Sequence, residues 1–124
     1  MSAAGPFVVK RVYEEASRED GLRVLVDRLW PRGMTKEAAH LDDWRKDLAP
    51  SPALRTWFGH DPKRFTEFTN RYKKELAANA EVDAFLEAVA GKKRVSLLYA
   101  AKDPAVNHAI VLRTFLQSRR GNVP

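Results

Sequence analysis

The sequence predicts an α/β domain, a mostly parallel central sheet flanked by helices in two or three layers, and two observations lead there. Val24 to Val26, inside a strand expected over 22–29, and Val95 to Ala101 are apolar runs of strand length without alternation, the pattern of strands buried on both faces. Between and after them stand stretches with helical spacing, each introduced by a start or stop signal. Strands separated by helices favour parallel pairing. A chain of 124 residues with 44% hydrophobic composition can bury a core as one domain, 1–124, with mobile tails expected at 1–6 and 118–124.

In order, Phe7, Val8, Val9, Val12 and Tyr13 form the first strand, and Asp20-Gly21 is a turn pair that leads into the central one. The connection between these two is short for a parallel crossover, so the direction of the first strand stays open. From Met34 to Ser51 the pattern is mixed, a long excursion with room for one short element and a candidate rim or lid. Ser51-Pro52 and Asp61-Pro62 each place a capping oxygen before a proline suited to the first helical position. The first opens a short helix with Leu54, Trp57 and Phe58; the second opens a long one with Phe65, Phe68, Tyr72 and Leu76 on one stripe. Val82, Phe85, Leu86 and Val89 mark a third helix closed by Gly91, and Asp103-Pro104 repeats the start signal ahead of a last helix reaching Leu116.

The chain has no cysteine, which excludes disulfides, thiolate metal sites and thiol nucleophiles. No apolar run approaches the length of a membrane span, so a cytosolic protein without membrane contact is expected. The formal charge of +6 sits in the last quarter, where residues 92 to 124 hold seven Lys/Arg and one acid. Lys92, Lys93, Arg94, Arg119 and Arg120 should gather at the amino-terminal edge of the sheet. Cations there either complement a helix dipole or contact nucleic-acid phosphates independently of sequence.

Four ordered segments carry a family resemblance: Val-Asp-Arg-Leu-Trp-Pro-Arg-Gly at 26–33, Asp-Leu-Ala-Pro-Ser at 47–51, Leu-Arg-Thr-Trp-Phe at 54–58, and Leu-Leu-Tyr-Ala-Ala-Lys-Asp at 97–103 with Asn-His at 107–108. The chain resembles the YeaO-like branch of the domain of unknown function 488 family from about Lys10 to Leu116. The resemblance implies a small α/β fold with a mostly parallel sheet and implies no activity. Longer relatives are similar at the last strand and helix but carry cysteine where Tyr99 stands and Cys-His-Arg where Asn107, His108 and Ala109 stand. Thiol chemistry therefore does not carry over.

Charged and aromatic residues crowd the point where the strand through Val26 leaves its sheet, the edge at which open α/β sheets bind ligands. If strand 95–101 lies beside it, Lys102 and the start of the last helix arrive at the same edge. Arginine forks, an ammonium and helix amides suit carboxylate or phosphate oxygens. The expected ligand-binding set is Arg28, Trp30, Arg32, Tyr99, Lys102 and Asn107, with Asp27 and His108 as candidate acid and base. The plainer alternatives are that Asp27 pairs with one of the arginines and that His108 is a packed residue. Ser51 reads as a cap rather than a nucleophile, and His40 and His60 lack partners at metal-ligand spacing, so no metal or cofactor is expected. The leading reading is a cytosolic protein with an anion-binding cleft acting on a phosphorylated or carboxylated small molecule. Its rival is a nucleic-acid or partner-binding module without catalysis, and a homodimer through Trp44 is a third possibility.

Overall fold

The last strand in sequence is central in space. In a computed structural model describing residues 6–121, β4 (Val95–Tyr99) pairs on one side with β1 (Phe7–Arg11) and on the other with β2 (Leu22–Leu25). β3 (Asp43–Trp44) adds to the far side of β2, giving the order β1-β4-β2-β3 with every pair parallel. The direction that the sequence left open is thus parallel, and β1 and β2 flank β4 rather than each other. Of the expected tails, 1–5 and 122–124 lie outside the described residues, whereas Ser118 to Gly121 form the end of α5 (His108–Gly121).

β4 is buried along its length because both faces are covered. Val95, Leu97 and Tyr99 join the main core with residues of α2 (Pro52–Phe58), α3 (Phe65–Ala77), α4 (Ala80–Ala88) and α5. Leu98 turns the other way, into a smaller cluster with Val12, Leu25 and Ala39, the last from α1 (Lys36–Ala39). The result is one helical layer plus a thin cover formed by the 27–44 segment. That excursion holds more order than its mixed pattern suggests: α1, β3 and a 3-10 turn at Lys46–Leu48. Trp44 packs edge-on against Trp30 with ring centroids 5.4 Å apart and donates its indole N–H to the Asp27 carbonyl at 2.7 Å.

The central strand, expected over 22–29, ends its ladder early. Val26 N–H still reaches the Leu98 carbonyl at 3.0 Å, but the next donor on β4's side, Ala100 N–H, is taken by the Asp27 carboxylate at 3.1 Å. A side chain thereby replaces a backbone acceptor and frees the chain to leave the sheet. The strand expected over 95–101 also stops short, at Tyr99, and the carbonyls of Ala100 and Ala101 accept from the Arg11 guanidinium.

The three start signals meet different fates. Ser51 caps α2, its hydroxyl accepting from Leu54 N–H while its own N–H and O–H donate to Glu75. Asp61-Pro62 opens a 3-10 turn, Pro62–Arg64, that feeds α3. Asp103 accepts from the amides of Ala105 and Val106, but this closes only a turn; α5 begins at His108, and the Asn107 side chain caps it by accepting from Ile110 N–H at 3.1 Å.

Beneath the second face lies a buried ionic cluster that sequence reasoning passed over. Asp20 accepts from Lys10, from Ser17 N–H and from the guanidinium of Arg23, itself buried. Burial alone would push the Asp20 carboxyl up; the Lys10 ammonium, the Ser17 amide and Arg23 outweigh it and hold the group below its ordinary value of 3.8. A carboxyl depressed in the folded state stabilises the fold above its unfolded value and ceases to do so as pH falls through the folded value. Urea unfolding of the wild type is therefore expected to lose stability relative to Asp20→Asn as pH falls below about 3.8. A pH-independent difference between the two would contradict this origin.

Candidate functional site

At the carboxyl ends of β2 and β4 a cavity of about 520 Å³ opens between the sheet, α2, α3 and the start of α5. Its position is the one at which parallel sheets accommodate ligands, because strand ends and helix amino termini converge there. Asp27, Arg28, Lys102, Asn107 and His108, all singled out from the sequence, line it together. Trp30, Arg32 and Tyr99 do not. After Leu29 the chain passes to the second face, where the Trp30 indole donates to the Met34 carbonyl and the Arg32 carbonyl accepts from the Tyr13 hydroxyl. Tyr99 is a strand residue buried in the main core, and burial holds its hydroxyl above the ordinary range.

Three further lining residues stand outside the set expected from the sequence: Arg55, and Phe58 and Phe68, read there only as core. The phenyl rings stack with centroids 4.2 Å apart and serve as core on one side and cavity wall on the other. Arg55 lies three residues before Phe58 on α2, so helical spacing brings both to the same side. His60 joins them from the turn after α2, in a left-handed backbone conformation with φ 59°.

Electrostatically the lining holds three permanent cations, Arg28, Arg55 and Lys102, against two carboxylates, each of which accepts backbone amides through one oxygen. Asp103 takes the turn amides of Ala105 and Val106, and Asp27 takes Ala100 N–H. Neither pairs with an arginine. Arg28 donates to the carbonyls of Pro50 and Ala49 at 3.3 and 3.4 Å, long contacts that orient the guanidinium without neutralising it. Among the described residues, no ion pair joins any of the three cations to a carboxylate.

His108 is the first residue of α5, not one turn beyond a helix start at Asp103-Pro104. Its Nε2 lies 3.0 Å from the Val26 carbonyl and 3.2 Å from Asp27 Oδ1. Both neighbours are acceptors, so the ring hydrogen belongs on Nε2. It is directed at the carbonyl, which leaves the buried Asp27 Oδ1 close to the ring without a hydrogen bond of its own. The Tyr72 ring meets the imidazole edge-on at 6.3 Å, and its hydroxyl donates to the Leu48 carbonyl. Burial drives that hydroxyl well above its ordinary range, so it remains a donor.

A model of the family DUF488-N3i, described as "Inactive DUF488-N3 subclade", matches residues 6–122. The chain belongs to this family. Among its relatives, the uncharacterised protein Rv3073c of Mycobacterium tuberculosis (strain ATCC 25618 / H37Rv) is 44% identical over 111 residues, covering 90% of this chain and 93% of that one. The uncharacterised protein YeaO of Escherichia coli (strain K12) is 43% identical over 109 residues, covering 88% and 95%. No solved structure matches. Among the described residues of this DUF488-N3i chain, the cavity wall contains no serine, threonine, cysteine or tyrosine. Ser51, whose hydroxyl is committed to Glu75 and to the cap of α2, is not part of it.

Proposed function

We propose that this protein binds a small molecule with an apolar or aromatic body and one anionic group, held in the cavity at the strand carboxyl ends, and that it does so without chemistry of its own. The observation that carries the reading is the set of three cations without carboxylate partners on a cavity walled by Phe58 and Phe68. Its volume falls within the range of ordinary small-molecule sites. A carboxylate or phosphate would engage Arg28 through its planar fork, with Lys102 and Arg55 adding charge nearer solvent. Binding without catalysis accords with a wall that offers no hydroxyl or thiol nucleophile and with the word "inactive" in the description of the family.

Phenylacetate and phenyl phosphate are suitable probes, since each joins one ring to one anion. A ligand confined to the native state raises the unfolding temperature by mass action, and isothermal titration then gives the affinity. Binding is expected to weaken with added salt and to fall about tenfold or more in Arg28→Ala, as hydrogen bonds to charged groups are worth about 1.5–3 kcal/mol. No heat and no thermal shift with either probe at millimolar concentration would overturn the reading. Nucleic-acid binding at the opposite, basic edge is favoured less: Arg94 donates to the Glu19 carbonyl and Arg119 to Asp83, leaving Lys92 and Lys93 exposed. A steep salt dependence of binding to duplex DNA would revive it.

A further inference from the structure

The geometry points to a second requirement on the ligand: besides its anion it carries an O–H or N–H donor, which meets His108 Nδ1. This rests on anion binding in the same cavity. With the hydrogen on Nε2, Nδ1 of the neutral ring holds the lone pair. Nε2 is fixed by the Val26 carbonyl, with Asp27 Oδ1 on the same side at 3.2 Å, so the ring has no reason to flip. Either acceptor would repel a bare nitrogen in that position. Among the described residues Nδ1 has no partner, and it is not among the buried polar atoms left without one; its lone pair is therefore open, and the wall to which His108 contributes is that of the cavity.

Most of the wall supplies donors or apolar surface: Arg28, Arg55 and Lys102 can only donate, and Phe58 and Phe68 can do neither. Asp27 accepts Ala100 N–H, and the other acceptors, His60 and the second oxygen of Asp103, belong to exposed residues. His108 Nδ1, on a half-buried ring, is thus the acceptor placed to separate a protic ligand from an otherwise equal one. Mandelate and phenylacetate form such a pair, the same ring and carboxylate with and without an α-hydroxyl. The second lacks the donor that would satisfy Nδ1, and a site with a polar atom left unpaired discriminates against it.

The test is a titration of the full chain, labelled with ¹⁵N-histidine, in mildly alkaline buffer with each probe, alongside calorimetry. In the free protein His108 Nδ1 is expected to resonate as an unprotonated ring nitrogen and to shift with mandelate but not with phenylacetate. Mandelate is expected to bind about threefold to tenfold more tightly, the worth of one neutral hydrogen bond. His108→Gln, whose amide nitrogen can replace Nε2 but offers nothing at Nδ1, should erase that preference, and His108→Asn, which can return an acceptor near Nδ1, should restore part of it. Equal affinities for the two probes, or a protonated Nδ1 in the free protein, would overturn the inference while leaving anion binding intact. If neither probe binds, the anion-binding reading itself falls, and the donor requirement with it. The wild-type titration decides the matter even if the glutamine variant does not fold.

Discussion

Gly21→Ala is expected to lower the free energy of unfolding by about 3–5 kcal/mol, a large part of the 5–15 kcal/mol that holds an ordinary domain together. Gly21 sits just before β2 with φ 67° and ψ −136°, a backbone state that a side chain strongly disfavours. Conformation is only half of the cost. A methyl group there would stand 2.3 Å from the Arg94 carbonyl oxygen and 2.9 Å from its carbon, and these are backbone atoms that cannot swing aside. The same carbonyl accepts Leu22 N–H at 2.9 Å, the bond that starts the β2 to β4 pairing. Relief of the clash would therefore part the two central strands where their register is set. Gly91→Ala provides the control: its φ is 86°, but nothing lies within 4 Å of the added carbon, so it should cost only about 1–2 kcal/mol. Urea unfolding of both variants separates the two contributions. A Gly21 variant no worse than the Gly91 variant would show that the close approach is not what fixes the strand pair.

Much of this architecture is legible from the residues because the helices and β4 announce themselves locally. The Phe65, Phe68, Tyr72 and Leu76 stripe turns into the main core as its spacing requires, and Ser51 caps the helix that its proline begins. β3 was not legible. Two residues cannot carry a pattern, and Asp43 and Trp44 extend only because β2 offers them a free edge and Asp27 a carbonyl for the Trp44 indole. The start of α5 misled for a related reason. Asp103 forms the side-chain turn that its proline suggests, yet the helix waits for Asn107, whose side chain is buried and caps the first turn.

The candidate site divides along the path of the chain. Residues two or three positions past a strand end, Asp27, Arg28 and Lys102, arrive at the cavity because strand direction determines where the ladder delivers them. Trp30 and Arg32 lie past a turn, and their destination depends on which face the loop covers, which no local pattern records. Arg55 escaped notice, and His60 was weighed only as a metal ligand, for the opposite reason: they enter from α2 and the turn after it, and only the packing of Phe58 on Phe68 brings that end of the helix over the strand ends.

The ionic cluster on the second face yields the other large effect. Arg23→Met is expected to destabilise the chain by about 3–5 kcal/mol, although methionine preserves most of the aliphatic stem. Arg23 is 4% exposed, and its guanidinium donates to Asp20 and to the carbonyls of Ala39 and His40 that end α1. Without it a buried carboxylate keeps only Lys10 and the Ser17 amide, and the last carbonyls of α1 lose their donor inside the protein. The burden falls on the partners left behind rather than on the arginine itself. Removing Asp20 as well should therefore hurt less than the sum of the single changes. Urea unfolding of Arg23→Met, Asp20→Asn and the double variant closes the cycle, with an expected coupling of about 1–3 kcal/mol. Additive single effects would mean that Arg23 acts through the α1 carbonyls alone and that Asp20 is held by Lys10 and the backbone.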